Sequence, residues 1–225
     1  GAGKSTLLLQ TVGRLCLNHK VLYVTGEESL QQVALRANRL KIQANNIRIA
    51  AETSIDTICE MASKERPEVL IVDSIQVMHV TGIESAPGSV SQVREGAAAL
   101  TQFAKRTGIA VFMVGHVTKD GTLAGPKILE HCVDCSVILE AGTDMRYRTL
   151  RCQKNRFGAV NEIGVFAMTD TGLKEVKNPS AIFLNRQETV APGSLAMVTW
   201  EGTRPLLVEL QALVDLSLYS NPRRL

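Results

Sequence analysis

Gly1-Ala2-Gly3-Lys4-Ser5-Thr6 opens the chain, and its reading decides the fold of everything that follows. It matches the end of a phosphate-binding loop, G-x-x-x-x-G-K-[ST], with the first glycine of the motif cut off and Gly3, Lys4 and Ser5 at the closing positions. Small residues let backbone N–H groups curl around phosphate oxygens. A helix that starts at such a loop points its positive end at the same anion. Lys4 adds a point charge for the β- and γ-phosphates, and the Ser5 hydroxyl is placed to ligate Mg²⁺. Gly1, Ala2 and Thr6 complete the candidate cradle. So short a string also arises by chance, and its weight depends on the rest of the chain.

Working outward, Thr6 to Leu17 carries a helical apolar stripe, and Val21-Leu22-Tyr23-Val24-Thr25 is a short apolar run. A helix followed by a buried strand is the alternation of a parallel α/β sheet. Gly26-Glu27-Glu28-Ser29 then falls at the strand's carboxyl end, where ligands bind in open α/β sheets. A carboxylate there can polarise a water that attacks the γ-phosphate, and Glu27 is the candidate. Both glutamates also suit the first turn of a helix, and Ser29 with Gln32 has the spacing of a capping box. In that helix, which runs to about Leu40, Arg36 and Arg39 are expected to face solvent.

Asn46 to Ala50 reads as a strand, and Ser54 caps a helix that ends near Arg66-Pro67. Val69-Leu70-Ile71-Val72-Asp73-Ser74 is an apolar strand that delivers Asp73 to the phosphate edge, a hard oxygen suited to the hydration shell of Mg²⁺. Such a strand is common alone and gains force from following a phosphate loop. Val77 to Val90 is a long polar loop. Ser89 and Gln92 repeat the capping-box spacing before a helix that ends at Gly108. Ile109 to Val114 reads as another buried strand, ending in Gly115-His116 near the γ-phosphate, and His116 is a candidate sensor of nucleotide state. Val117 to Lys127 reads as a second polar loop. Ser136 to Glu140 and Tyr147 to Gln153 read as paired strands, and Ile163 to Thr169 with the Gly172 turn as a hairpin. Lys154 and Arg156, two apart on an extended segment, point to one side and suit a phosphate on a neighbouring subunit as charge-stabilising fingers. After Asn178-Pro179 the character shifts, and Leu195 to Gly202 and Leu206 to Val214 read as strands opening a second domain.

The 225 residues carry a net charge of +3, which neither implies nor excludes a polyanionic partner. No apolar run of about 18 residues is present, so no membrane span is expected. The chain starts without Met and inside a motif, so it reads as a fragment. The strand that should precede the loop, central to such a sheet, would then lie upstream. The 5 scattered cysteines suggest a reducing, cytoplasmic setting. Cys132 and Cys135 form a lone C-x-x-C whose apolar flanks point to core packing, with no second pair to complete a zinc site.

The loop end, Val24-Thr25-Gly26-Glu27-Glu28-Ser29, Leu70-Ile71-Val72-Asp73-Ser74 and above all Lys154-Asn155-Arg156-Phe157-Gly158 together resemble the bacterial RadA (Sms) DNA-repair family. Glu201-Gly202-Thr203-Arg204-Pro205-Leu206 is similar to the opening of that family's Lon-protease-like domain. The resemblance covers the whole chain. It implies an α/β fold: a RecA-like P-loop ATPase core with a mostly parallel sheet over residues 1–178, followed by the start of a Lon-like α+β domain over 179–225. It implies ATP and Mg²⁺ as cofactors and a DNA-dependent ATPase that promotes branch migration of recombination intermediates, as a homo-hexamer on single-stranded and branched DNA. RecA recombinase is a candidate partner. By motif, Lys4 and Ser5 would bind phosphate and Mg²⁺, Glu27 would activate water, Asp73 would hold the metal through water, and Lys154 and Arg156 would reach the adjacent subunit's ATP. By analogy to RecA the polar loops would line the channel, with Lys119 and Lys127 touching DNA phosphates. The family's Zn²⁺ belongs to a finger upstream of this chain. The alternative is a regulatory RecA-fold ATPase or autokinase resembling KaiC.

Overall fold

The computed structural model describes residues 2–43, 46–116, 129–141, 146–160, 162–180, 192–201 and 204–212. Helix α1 (Lys4–Leu15) leads into β1 (Val21–Thr25), followed by α2 (Leu30–Arg39), β2 (Ile47–Ala51), α3 (Ile55–Glu65), β3 (Val69–Asp73), α4 (Val90–Thr107) and β4 (Ala110–Met113). The four strands form a parallel sheet in the order β2-β1-β3-β4. In β1 and β3 every residue is buried, because alternate side chains face helices on opposite sides. Val21, Tyr23, Val69 and Ile71 pack with Leu9, Val12 and Cys16 of α1 and Val33 of α2. Leu22, Val24, Leu70 and Val72 pack with Ile58 and Ala62 of α3 and Val93, Leu100 and Phe103 of α4.

Three local expectations are corrected. The run at 109–114 is apolar, yet β4 is an alternating, half-exposed strand with Phe112 42% exposed. It stands at the sheet's edge among the described residues, and an apolar run does not encode a strand's neighbours. Ser29 and Gln32 complete their capping box, but at the same spacing Gln92 does not. Its backbone N–H donates to Ser89, while its buried side chain accepts from Val80 N–H and donates to the carbonyls of Ile83 and Ser85, fixing the 80–85 loop. Arg36 does not face solvent freely: it pairs with Glu28, and one guanidinium nitrogen is buried.

The second body is an antiparallel sheet, β5 (Cys135–Ala141), β6 (Tyr147–Asn155), β7 (Ile163–Thr169) and β8 (Gly172–Glu175), paired in sequence order. Cys135 lies exposed on it, not in a core, although its thiol sits against Cys152; burial, then the Cys152 thiol, pushes the Cys135 pKa up. The sheet meets α1 through Gln10, whose side-chain amide donates to the Leu173 carbonyl at 3.1 Å and accepts from its N–H at 2.8 Å. β9 (Ser194–Glu201) and β10 (Arg204–Gln211) form a separate hairpin with Leu195, Val198 and Trp200 exposed. The expected strand end at Val214 lies outside the described residues.

Candidate functional site

The α1 helix returns to the start of β1 through a short turn, so its N-terminus lies at the opposite, carboxyl edge of the parallel sheet. The lengths agree: 12 residues of helix rise ~18 Å, close to the span of a five-residue strand. Gly3 caps this helix with φ 94°, a left-handed conformation that L side chains rarely adopt. A Cβ there would also lie 2.7 Å from the end of Met168. Lys4, Ser5 and Thr6 follow in the first turn, half-buried, and among the described residues the Lys4 ammonium forms no ion pair. Gly1 lies outside the described residues.

Asp73 ends β3 opposite Thr25 at the end of β1. By strand alternation it shares the face of Val69 and Ile71, which is the α1 face. The residue is 6% exposed, and its carboxylate accepts a hydrogen bond from the Tyr23 hydroxyl at 2.5 Å. Burial first, then the Asp73 carboxylate, pushes the Tyr23 pKa up, so Tyr23 stays a neutral donor. A buried carboxylate on the face of the helix that carries Ser5 is a donor set of hard oxygens, which fits Mg²⁺.

Glu27 lies just beyond β1, where Gly26 turns the chain with its N–H on the Asp73 carbonyl. One Glu27 carboxylate oxygen accepts from the Ser74 hydroxyl and lies 3.2 Å from His116 Nε2. Ser74 follows a cis peptide after Asp73, and Gln76 donates to the His116 carbonyl at 3.2 Å. The structure therefore brings Glu27 and His116, read separately from two strand ends, into contact at one edge.

Lys154, next to last in β6, sets its ammonium on the Glu130 carbonyl, and Arg156 just beyond the strand pairs with Asp134 at 2.7 Å while its N–H donates to the Asp134 carbonyl. Both cations are held within the chain on the 130–134 segment, and Phe157 beside them is exposed. Lys119 and Lys127 lie outside the described residues. Sequence reasoning missed Tyr23, Ser74 and Arg148. A tyrosine inside an apolar strand and a serine directly after the aspartate were visible signals; Arg148 had none. No helix among the described residues is long and apolar enough to cross a membrane.

A family model described as an AAA domain matches residues 1–122. Over 224 residues the chain is 65% identical to DNA repair protein RadA of Escherichia coli and 58% to that of Pseudomonas aeruginosa; in each case the match takes 100% of this chain and 49% of the relative. Over 226 residues it is 48% identical to DNA repair protein RadA of Bacillus subtilis, again covering 49% of the relative. The chain thus spans about half the length of the curated relatives it matches. Among solved structures, a KaiC-like protein of Pyrococcus horikoshii superposes with a TM-score of 0.62 at 16% identity, over 78% of this chain and 85% of that one, a likeness of fold alone.

Proposed function

The chain belongs to the AAA domain family, and from that premise we propose that it is the motor portion of a DNA-dependent ATPase acting in DNA repair. The observation that carries the reading is the meeting of Glu27 with Ser74 and His116 at the sheet edge that also holds the α1 N-terminus and Asp73. The high identity to relatives named for DNA repair supports the biological setting of DNA repair; a cytoplasmic location and action on recombination intermediates are part of the proposal. Branch migration on single-stranded and branched DNA, by a homo-hexamer working with RecA recombinase, is the finer form of this proposal.

The Gly3 amide and the first turn of α1 would bind phosphate oxygens, with Lys4 supplying charge to them. Ser5, and Asp73 through water, would hold Mg²⁺, which neutralises charge on the transferring phosphoryl group. Glu27 would take the proton of the attacking water, and His116 would report the phosphate's presence to the segment that follows it. Lys154 and Arg156 would leave the 130–134 segment to reach a neighbouring copy's ATP. Lys119 and Lys127 would contact DNA phosphates. Residues 179–225 would begin a Lon-like domain, a reading supported by the β9–β10 hairpin, which among the described residues pairs with neither of the other sheets.

The test is ATP turnover by the full-length protein with and without single-stranded DNA, beside Lys4→Ala. DNA should raise turnover, and the variant should lose on the order of 100-fold, the scale of one lost charge-stabilising donor. Turnover indifferent to DNA, or radiolabelled phosphate appearing on the protein, would move the reading to a regulatory ATPase or autokinase.

A further inference from the structure

Arg148 is a charged side chain at the place where the antiparallel sheet meets the start of the chain. It is the second residue of β6 and only 5% exposed. Its Nε donates to the Ala2 carbonyl at 2.9 Å, and one terminal nitrogen donates to its own neighbour's carbonyl, Tyr147, at 2.8 Å. A buried guanidinium needs its donors paired, and one of these is committed to the Ala2 carbonyl. The orientation of that carbonyl matters. The peptide joining Ala2 to Gly3 is planar, and in a trans peptide the C=O and N–H point in opposite directions. Fixing the Ala2 carbonyl toward β6 therefore turns the Gly3 N–H away from β6. Gly3 is the N-cap of α1 and adopts a positive φ, so this peptide is a point where the chain could otherwise swing.

We propose that Arg148 is a positioning residue for nucleotide: by gripping the Ala2 carbonyl it aims the Gly3 amide, and with it the opening turn of α1, at the phosphates of a nucleoside triphosphate. The proposal rests on the nucleotide reading above and adds a residue from the second sheet to the loop's support. The same sheet closes the site from behind. Met168 of β7 lies where a Gly3 side chain would go, and Gln10 ties α1 to Leu173 of β8. Gln10 provides the control, because it joins sheet to helix without touching the loop.

The experiment compares Arg148→Met, Arg148→Lys and Gln10→Ala in the full-length protein, reading Mg²⁺-bound non-hydrolysable ATP analogue affinity, KM, kcat and Tm. Arg148→Met should weaken binding and raise KM by about tenfold or more, the scale of one lost hydrogen bond to a charged group, with kcat at saturation changed little, since the amide is used alike in ground and transition states. Arg148→Lys keeps the charge but loses the planar fork, and should fall between wild type and Arg148→Met. It also serves if Arg148→Met does not fold. Gln10→Ala should lower Tm and leave KM unchanged. Equal KM in a folded Arg148 variant, or a KM rise in Gln10→Ala matching that of Arg148→Met, would overturn the positioning role. Wild-type protein that binds no nucleotide would overturn the nucleotide reading and this proposal together, and would show before any substitution was made.

Discussion

The two sheets that flank α1 are built on opposite terms. In the parallel sheet, β1 and β3 bury every residue between helices on both faces, and the candidate metal-holding carboxylate Asp73 is buried with them. In the antiparallel sheet, Val137 is 49% exposed, Cys135 is exposed, and the candidate cations Lys154 and Arg156 sit near the end of β6 on the Glu130 carbonyl and Asp134. On the proposed reading the difference separates two jobs. Groups that would hold one geometry through every cycle are set in a dry, doubly covered sheet. Groups that would reach outward are set on a sheet whose edge is wet, which Arg148 ties to the loop and Gln10 to helix α1.

The largest break in this comparison should come from matched truncations. Ile71→Ala removes a side chain that is fully buried at the centre of β3, and should cost about 2–5 kcal/mol, the range for buried Ile or Leu to Ala with its residual cavity. Val137→Ala on β5 removes atoms already half in water and should stay within about 0.5 kcal/mol. Urea midpoints at constant slope measure both. Equal losses would mean that the two sheets share one core.

The next effect sharpens the contrast between two aspartates. Tyr23→Phe takes from Asp73 a hydroxyl donor in a buried site, and should cost about 1–3 kcal/mol of stability, the penalty for leaving a buried acceptor unpaired. Arg156→Gln breaks a pair in which both side chains are well exposed, and should change stability by no more than about 1 kcal/mol. The small value is what the proposed reaching role requires: a cation bound that weakly to Asp134 could be released to a neighbour's phosphate. A loss at Arg156 as large as that at Tyr23 would make the 130–134 contact a structural bond and argue against a reaching role.

The elements of the parallel sheet were legible because their side-chain periods differ: continuous apolar runs for β1 and β3, a helical stripe for α1. The placement of the loop end, Glu27, Asp73 and His116 at one edge was legible because these residues fall at element ends, and the fold gathers strand ends at one edge. What stayed hidden depends on pairing across the chain. Tyr23 and Asp73 are 50 positions apart and Ala2 and Arg148 are 146 apart, so no local pattern could join them. The identical Ser-x-x-Gln spacing at 29–32 and 89–92 shows the same limit. The first glutamine completes its box, whereas the second is drawn off by carbonyls of a loop whose path the spacing does not encode. The exposure of β4 was likewise unreadable, since it is set by which strands stand beside it.

The smallest effect lies at the opposite edge of the parallel sheet, far from the site, and tests whether that sheet's stability is all core. Glu68, just before β3, accepts from the His19 ring at 2.8 Å and from the Lys20 N–H at 3.1 Å. The His19 contact first, and the Lys20 amide second, hold its carboxyl below the usual glutamate range. A carboxyl whose folded pKa is depressed contributes stability that is fully present above its unfolded value and is lost as pH falls through the folded one. Glu68→Gln should therefore differ from wild type at neutral pH and converge with it on acidification, so that the acid limb of the stability curve flattens slightly. Because the carboxylate is in water, added salt should shrink the difference further. Thermal melts of both proteins from neutral pH to about pH 3, below the ordinary glutamate pKa of about 4.3, read this directly. Parallel curves for the two proteins would mean that the pair at this edge contributes nothing, and that the parallel sheet is held by its two apolar faces alone.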